Sequence, residues 1–139
     1  MSALRTILAL IAGLVVGSFV NGTIVAMGTS FIPSPAGADM TTVEGLTASM
    51  HLLEPKHFLM PFLAHALGTL AGALVAASIA TLRRSIVAYA IGVLFLCGGI
   101  AASVMIPAPT WFIVLDLAAA YIPMAWLGLT LSRRVRRDA

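Results

Sequence analysis

The sequence predicts an all-α integral membrane fold, an up-down bundle of four helices with a short external amphipathic helix, and three observations predict it. First, the 139 residues are 60% apolar and only 9% charged, where soluble domains carry about 25% charged residues. That leaves too little charge to coat a water-facing surface, and it excludes a free soluble enzyme or a disordered linker. Second, apolar runs of about 20 residues, the length that crosses a hydrocarbon core, recur near 4–28, 57–82, 85–106 and 110–131. Third, Arg5, Arg83, Arg84, Arg133, Arg134, Arg136 and Arg137 fall at ends that share one side of an up-down bundle, and Lys56 falls opposite. The whole chain, 1–139, is then a single transmembrane domain.

The first run follows Arg5 as a secretory signal would, but it exceeds the 7 to 15 residues of a signal's apolar region. It is expected to be a span. Its small residues Ala9, Gly13 and Gly17 repeat every fourth position, which lets helix backbones approach closely. The loop at 29–56 opens on Pro33, Pro35, Gly37 and Asp39. Within it, Thr41 with Glu44 three residues later forms a capping box, and Pro55 ends the run, so a short helix is expected over about 42–53. Glu44, Thr47, His51 and Glu54 lie on one stripe of that helix, and Val43, Leu46, Met50 and Leu53 on another. It either lies flat on the membrane surface or acts as a lid that turns its carboxylates and imidazole over the bundle mouth.

The second run carries the ladder Ala64, Gly68, Gly72, Ala76 and Ala80. Such ladders serve either packing within the chain or a homo-oligomeric seam. Ser85 is expected to cap the third helix and Thr110 the fourth, across two tight turns. The aromatic residues Phe31, Phe58, Trp111 and Phe112 near one boundary, with Tyr89 and Trp126 nearer the other, fit interfacial belts. Positive charge marks the cytoplasmic side, so both termini are expected there and the 29–56 loop outside. The Arg133–Arg137 cluster serves that topology and also suits anionic lipid headgroups.

Ionisable groups inside a span cost about 2.5 to 3.5 kcal/mol on insertion scales, so each is a functional hypothesis. His65 and Asp116 are such groups, with Asn21 as a neutral companion. Counted from the loop-side ends at 1.5 Å per residue, all three sit about 9 to 12 Å deep. Asn21 shares a helix face with Gly17, Ser18 and Gly28, His65 with Pro61, Gly68, Thr69 and Gly72, and Asp116 with Ala119, Ala120 and Pro123. Those are the small faces, so the three are expected to look inward, with Asp116 and His65 paired. Pro61 and Pro123 should free the carbonyls of His57 and Ala119.

The expected site is therefore a pocket formed by Asn21, His65 and Asp116, rimmed by Glu44, His51, Glu54, His57 and Trp111. Imidazoles and carboxylates suit zinc or another first-row transition metal, with His51, His57, His65, Glu54 and Asp116 as candidate ligands. Glu54 and His57 match half of the Glu-x-x-His pattern of di-iron bundles, but Pro55 breaks the helix between them and no second copy exists. Cys97 is the single cysteine, which excludes an internal disulfide, and a lone thiol among apolar residues is a small filler. The Asn21-Gly22-Thr23 sequon lies inside a span and is discarded. No phosphate loop or nucleic-acid motif occurs. A conduction path needs polar lining throughout, and the first helix has no ionisable group between the polar layer and Arg5.

The stretches AHALGTLAGA at 64–73 and IPAPTWFIVLDLAAAYIPMAWLG at 106–128 resemble small bacterial four-helix inner-membrane proteins to which no activity is assigned. The resemblance implies a bacterial inner-membrane location and carries over no site residue. The expectation is an outward-facing pocket that binds a small molecule or metal ion. Alternatives are a metal-assisted enzyme acting on a lipid-borne or periplasmic substrate, with His65 as base, a structural clasp, and a partner subunit docked through the small-residue faces.

Overall fold

A computed structural model of the chain describes residues 2–135. The arginine cluster's last members, Arg136 and Arg137, lie outside the described residues. The helices are α1 (Ser2–Phe31), α2 (Val43–Ser49), α3 (Leu59–Ile79), α4 (Arg84–Met105), α5 (Thr110–Ala119) and α6 (Ile122–Val135), with 3-10 turns at Met50–Leu52 and Pro55–Phe58. Four stretches, Ala3–Phe31, Pro55–Ile79, Arg84–Met105 and Thr110–Val135, are long and apolar enough to cross a bilayer. The chain is an all-α membrane bundle of four spans.

Helix α3 is the centre of the bundle, packed most extensively against α1, then α6 and α4. Its seam with α1 runs through the two small-residue ladders. A Cβ on Gly13 would stand 2.6 Å from the Gly72 carbonyl oxygen, and one on Gly17 would stand 2.7 Å from that of Gly68. The position on α1 rises as that on α3 falls, so the pair is antiparallel. Backbones this close exchange dispersion and weak Cα–H···O contacts, which drive helix association where lipid removes the hydrophobic term. Both ladders are thus engaged within one chain rather than turned outward as an oligomer seam.

Around that seam the core is made of small residues. Ala9, Ala73, Ala76, Ala77, Ala80, Ala88 and Ala125 are fully buried, together with Ile91, Val87 and Leu129. The large apolar side chains of α1, among them Ile7, Leu8, Ile11, Val15 and Phe19, point away from the bundle, as lipid-facing residues should. At one end of the bundle Arg5 Nε donates to the Ile79 carbonyl at 2.8 Å. Arg84 Nε donates to that of Ala77 at 2.8 Å, and Arg84 Nη2 to Ser132 Oγ at 2.9 Å. These guanidiniums occupy carbonyls that the end of α3 leaves without donors, at the negative pole of its dipole.

Several local expectations are corrected. The fourth span is not one helix: it breaks at Ala120 and Tyr121, between α5 and α6, because Pro123 has no N–H for the Ala119 carbonyl. Pro61 causes no such break, since α3 begins at Leu59 and a first-turn N–H needs no intrahelical partner. Helix α4 starts after Arg83, whose φ of 53° is left-handed, instead of at a Ser85 cap, and α5 is preceded by Pro109 rather than capped by Thr110.

The external helix is shorter than 42–53, with α2 at Val43–Ser49 running into the 3-10 turn. Its cap is Thr42, whose hydroxyl accepts from Gly45 N at 2.9 Å. Thr41 is occupied elsewhere: Asp39 Oδ1 accepts from its backbone N–H at 2.9 Å and its hydroxyl at 2.6 Å. The Asp39 N–H donates to Ser49 Oγ at 2.9 Å, tying both ends of the segment together. The hydrogen bonds from the Thr41 hydroxyl and N–H hold the Asp39 carboxyl below its ordinary range. A depressed carboxylate contributes order above its unfolded pKa, about 3.9, and loses it as pH falls through the lowered native value. The amide resonance of Thr41 should therefore titrate with a midpoint below about 3.9 and stop doing so in Asp39→Asn. A midpoint at or above the ordinary value would contradict this role.

Candidate functional site

His65 comes from the second turn of α3 and Asp116 from the last turns of α5, where the helix is about to break. The break carries Tyr121 round to the same point. His65 Nδ1 donates to the Asp116 carboxylate and lies 2.9 Å from each of its oxygens. The Tyr121 hydroxyl donates to Asp116 Oδ2 at 2.9 Å. The tyrosine ring also stacks on the imidazole, with centroids 5.8 Å apart and planes inclined by 27°. Asp116 and Tyr121 are almost completely buried, at 4% and 1% exposed, so their burial rests on this hydrogen bonding.

Gly99 of α4 makes room for the triad. A Cβ at that position would run into the Tyr121 hydroxyl and ring. Thr69, one turn along α3, returns its hydroxyl to the His65 carbonyl at 2.8 Å. The polar groups at this level are therefore largely partnered, with two exceptions among the described residues, the Asn21 amide and one nitrogen of His65. His65 Nε2 has no hydrogen-bond partner among the described residues, and no buried side-chain polar atom is left unpaired. Nε2 is thus an open atom, consistent with the 24% side-chain exposure of His65.

His65 faces two cavities. One, of about 240 Å³, lies beneath α2 and the loop; Met40, Leu46, Met50 and Leu53 roof it, Phe58, Phe112 and Ile113 wall it, and His65 and Asp116 form its polar floor. The other, of about 430 Å³, is a cleft between α1 and α4 lined by Ser18, Asn21, Leu94, Phe95 and Gly98, with His65 and Tyr121 at its back. With Nδ1–H committed to the carboxylate, neutral His65 presents a lone pair on Nε2. Such a dyad accepts a hydrogen bond or a proton from a bound group.

The expected pocket is brought together in part. His65 and Asp116 pair as expected. Asn21 shares the cleft with His65 but makes no side-chain hydrogen bond among the described residues. The rim is rearranged: Glu44, His51 and Glu54 are exposed, while Leu46, Met50 and Leu53 of the apolar stripe face the cavity and Val43 stays exposed. Burying the apolar stripe leaves the polar one in solvent. Glu54 forms an exposed ion pair with Lys56 at 3.1 Å, and its backbone N–H donates to His57 Nδ1 at 2.9 Å. His57 lines the roofed cavity, whereas Trp111 stands outside it with its ring edge-on to Phe58 at 5.5 Å.

The metal-ligand set is not assembled. Among the described residues, no three of histidine, cysteine, aspartate and glutamate come together as a metal site. His51, Glu54 and His57 are held on the loop by the turns at Met50–Leu52 and Pro55–Phe58, and His65 Nδ1 is paired with Asp116. Cys97 is exposed and lines neither cavity. The triad's third member, Tyr121, was not among the expected site residues. Its sequence signal is a tyrosine two residues before a mid-span proline and five after a buried aspartate.

The chain matches no protein-family model, and it shows no significant similarity to a curated protein or to a solved structure.

Proposed function

We propose that this is a bacterial inner-membrane protein, with both termini cytoplasmic and the α2 loop outside, that binds a small organic molecule on His65. The observation that carries the reading is the open Nε2 of an imidazole whose other nitrogen is fixed by a buried carboxylate. A purely structural clasp has no need of an open nitrogen on a histidine that lines the roofed cavity. The cavity's size and mostly apolar lining, with a few convergent polar atoms, suit a small, largely apolar ligand. The arginines support this orientation: Arg5 and Arg84 lie at one end of the bundle, and Lys56 lies in the loop, as positive charge on the cytoplasmic side requires.

The test is mass spectrometry of organic extracts and of bound elements, on protein purified in mild detergent without chelator. Near-stoichiometric organic compound in the wild type, lost from His65→Phe, is the expected result. Identical extracts from both proteins would overturn the reading. Near-stoichiometric zinc, iron or copper that depends on His65 would overturn it in favour of a metal centre.

A further inference from the structure

The cleft between α1 and α4 deepens that reading and rests on it. Asn21 and Gly22 form one wall, Phe95 and Gly98 the other, and His65 and Tyr121 the back. Below it Gly17 is clamped between Gly68 and Phe95, but a Cβ on Gly22 or Gly98 would meet nothing within 4 Å. The helices separate there and leave a gap. Both walls belong to apolar helices of membrane-spanning length, so the gap opens sideways onto hydrocarbon rather than onto water.

Two polar groups inside it lack partners among the described residues, the Asn21 amide and His65 Nε2. Both are reached from the cleft rather than buried, so the bonds they can make specify the occupant. With Nδ1–H committed to Asp116, Nε2 of the neutral imidazole offers a lone pair, which pairs with a donor. The Asn21 amide offers N–H donors as well as a carbonyl acceptor. A hydroxyl is both donor and acceptor. No lysine or arginine lines the cleft, which disfavours a phosphate or carboxylate head.

We propose that the cleft admits a long-chain alcohol from the surrounding lipid. Its hydroxyl donates to His65 Nε2 and accepts from the Asn21 amide, and its hydrocarbon tail leaves between α1 and α4.

The probes are a diazirine-bearing stearyl alcohol and its methyl ether, photolysed with the full chain in phosphatidylcholine vesicles and located by peptide mass spectrometry. The alcohol should label the segments around Asn21 and Gly98. Labelling should fall about five- to tenfold with the ether or with Asn21→Leu, the loss of roughly one hydrogen bond. It should disappear in Gly98→Leu, which fills open space and leaves the fold intact by gel filtration. Labelling spread evenly over the lipid-facing helices, equal for alcohol and ether, or indifferent to Gly98→Leu would overturn the proposal. A compound extracted from the wild type and lost in His65→Phe, combined with any of those results, refutes the lateral opening while leaving the His65 site standing.

Discussion

A Gly72→Leu variant is expected to lose the seam between α1 and α3, and with it most of the bundle's stability. A Cβ on residue 72 stands 2.7 Å from the Gly13 carbonyl oxygen and 3.2 Å from Ile91 Cγ2. The first of these neighbours is backbone, so it cannot rotate away, and α1 must shift as a whole. That shift also separates Gly17 from Gly68, because both contacts lie on one rigid pair of helices. Overpacking of a filled core costs about 1–3 kcal/mol, occasionally more, and rigid backbone contacts place this case at the upper end. Lipid supplies no hydrophobic force to hold a widened seam together. Unfolding by denaturing detergent in mixed micelles measures the loss, with Gly98→Leu as the matched control, expected within about 0.5 kcal/mol of wild type. Equal stability of the two leucine variants would show that the glycine ladder is not the packing surface described.

Removing the Asp116 carboxylate should have the largest effect on the site. Asp116→Ala leaves His65 Nδ1–H and the Tyr121 hydroxyl without their common acceptor. A stranded buried donor costs about 1–3 kcal/mol in soluble proteins. Hydrogen bonds between membrane helices average about 0.6 kcal/mol and reach about 1.7. A total of roughly 1–3 kcal/mol follows for the two donors. Tyr121→Phe removes one donor and keeps the His65 pair, so about 0.5–1.5 kcal/mol is expected. Losing the carboxylate also frees the imidazole to rotate and to change tautomer. Ligand retention should therefore collapse in Asp116→Ala and survive in Tyr121→Phe, read by the same extraction and mass spectrometry. Full retention in Asp116→Ala would separate the carboxylate from binding and leave it a structural role alone.

The clash at Gly99 fits the same account, since any side chain there drives Tyr121 off the carboxylate. Its position in the sequence, beside Gly98, gives no hint that the two glycines differ. One leaves room for the triad and the other borders open space, a distinction that depends on which way each points around α4.

Much of this was legible in residue order. Charge poverty and run length determined the solvent and the number of spans, because transferring backbone and side chains into hydrocarbon is an additive property of local sequence. Spacing every fourth residue determined which faces pack, as the meeting of Gly13 with Gly72 and Gly17 with Gly68 bears out. The pairing of His65 with Asp116 was legible for a similar reason: two polar groups at one depth on inward faces satisfy one another by hydrogen bonding more cheaply than either can be buried alone. The direction of the external helix was legible only in outline. Its two stripes were visible, but the roofed cavity decided that Leu46, Met50 and Leu53 face inward and that Glu44, His51 and Glu54 do not.

Only the tertiary structure decided the role of Tyr121. In an unbroken helix, residues five apart point about 140° away from each other, so Asp116 and Tyr121 could not meet. The proline break turns the chain between them, and the angle of that turn is set by how α6 packs on α3 and α4. The same holds for the absent metal-ligand set and for the open Nε2 of His65. Residue types determine which groups can bind, but what remains free to bind depends on which partners the fold has already supplied.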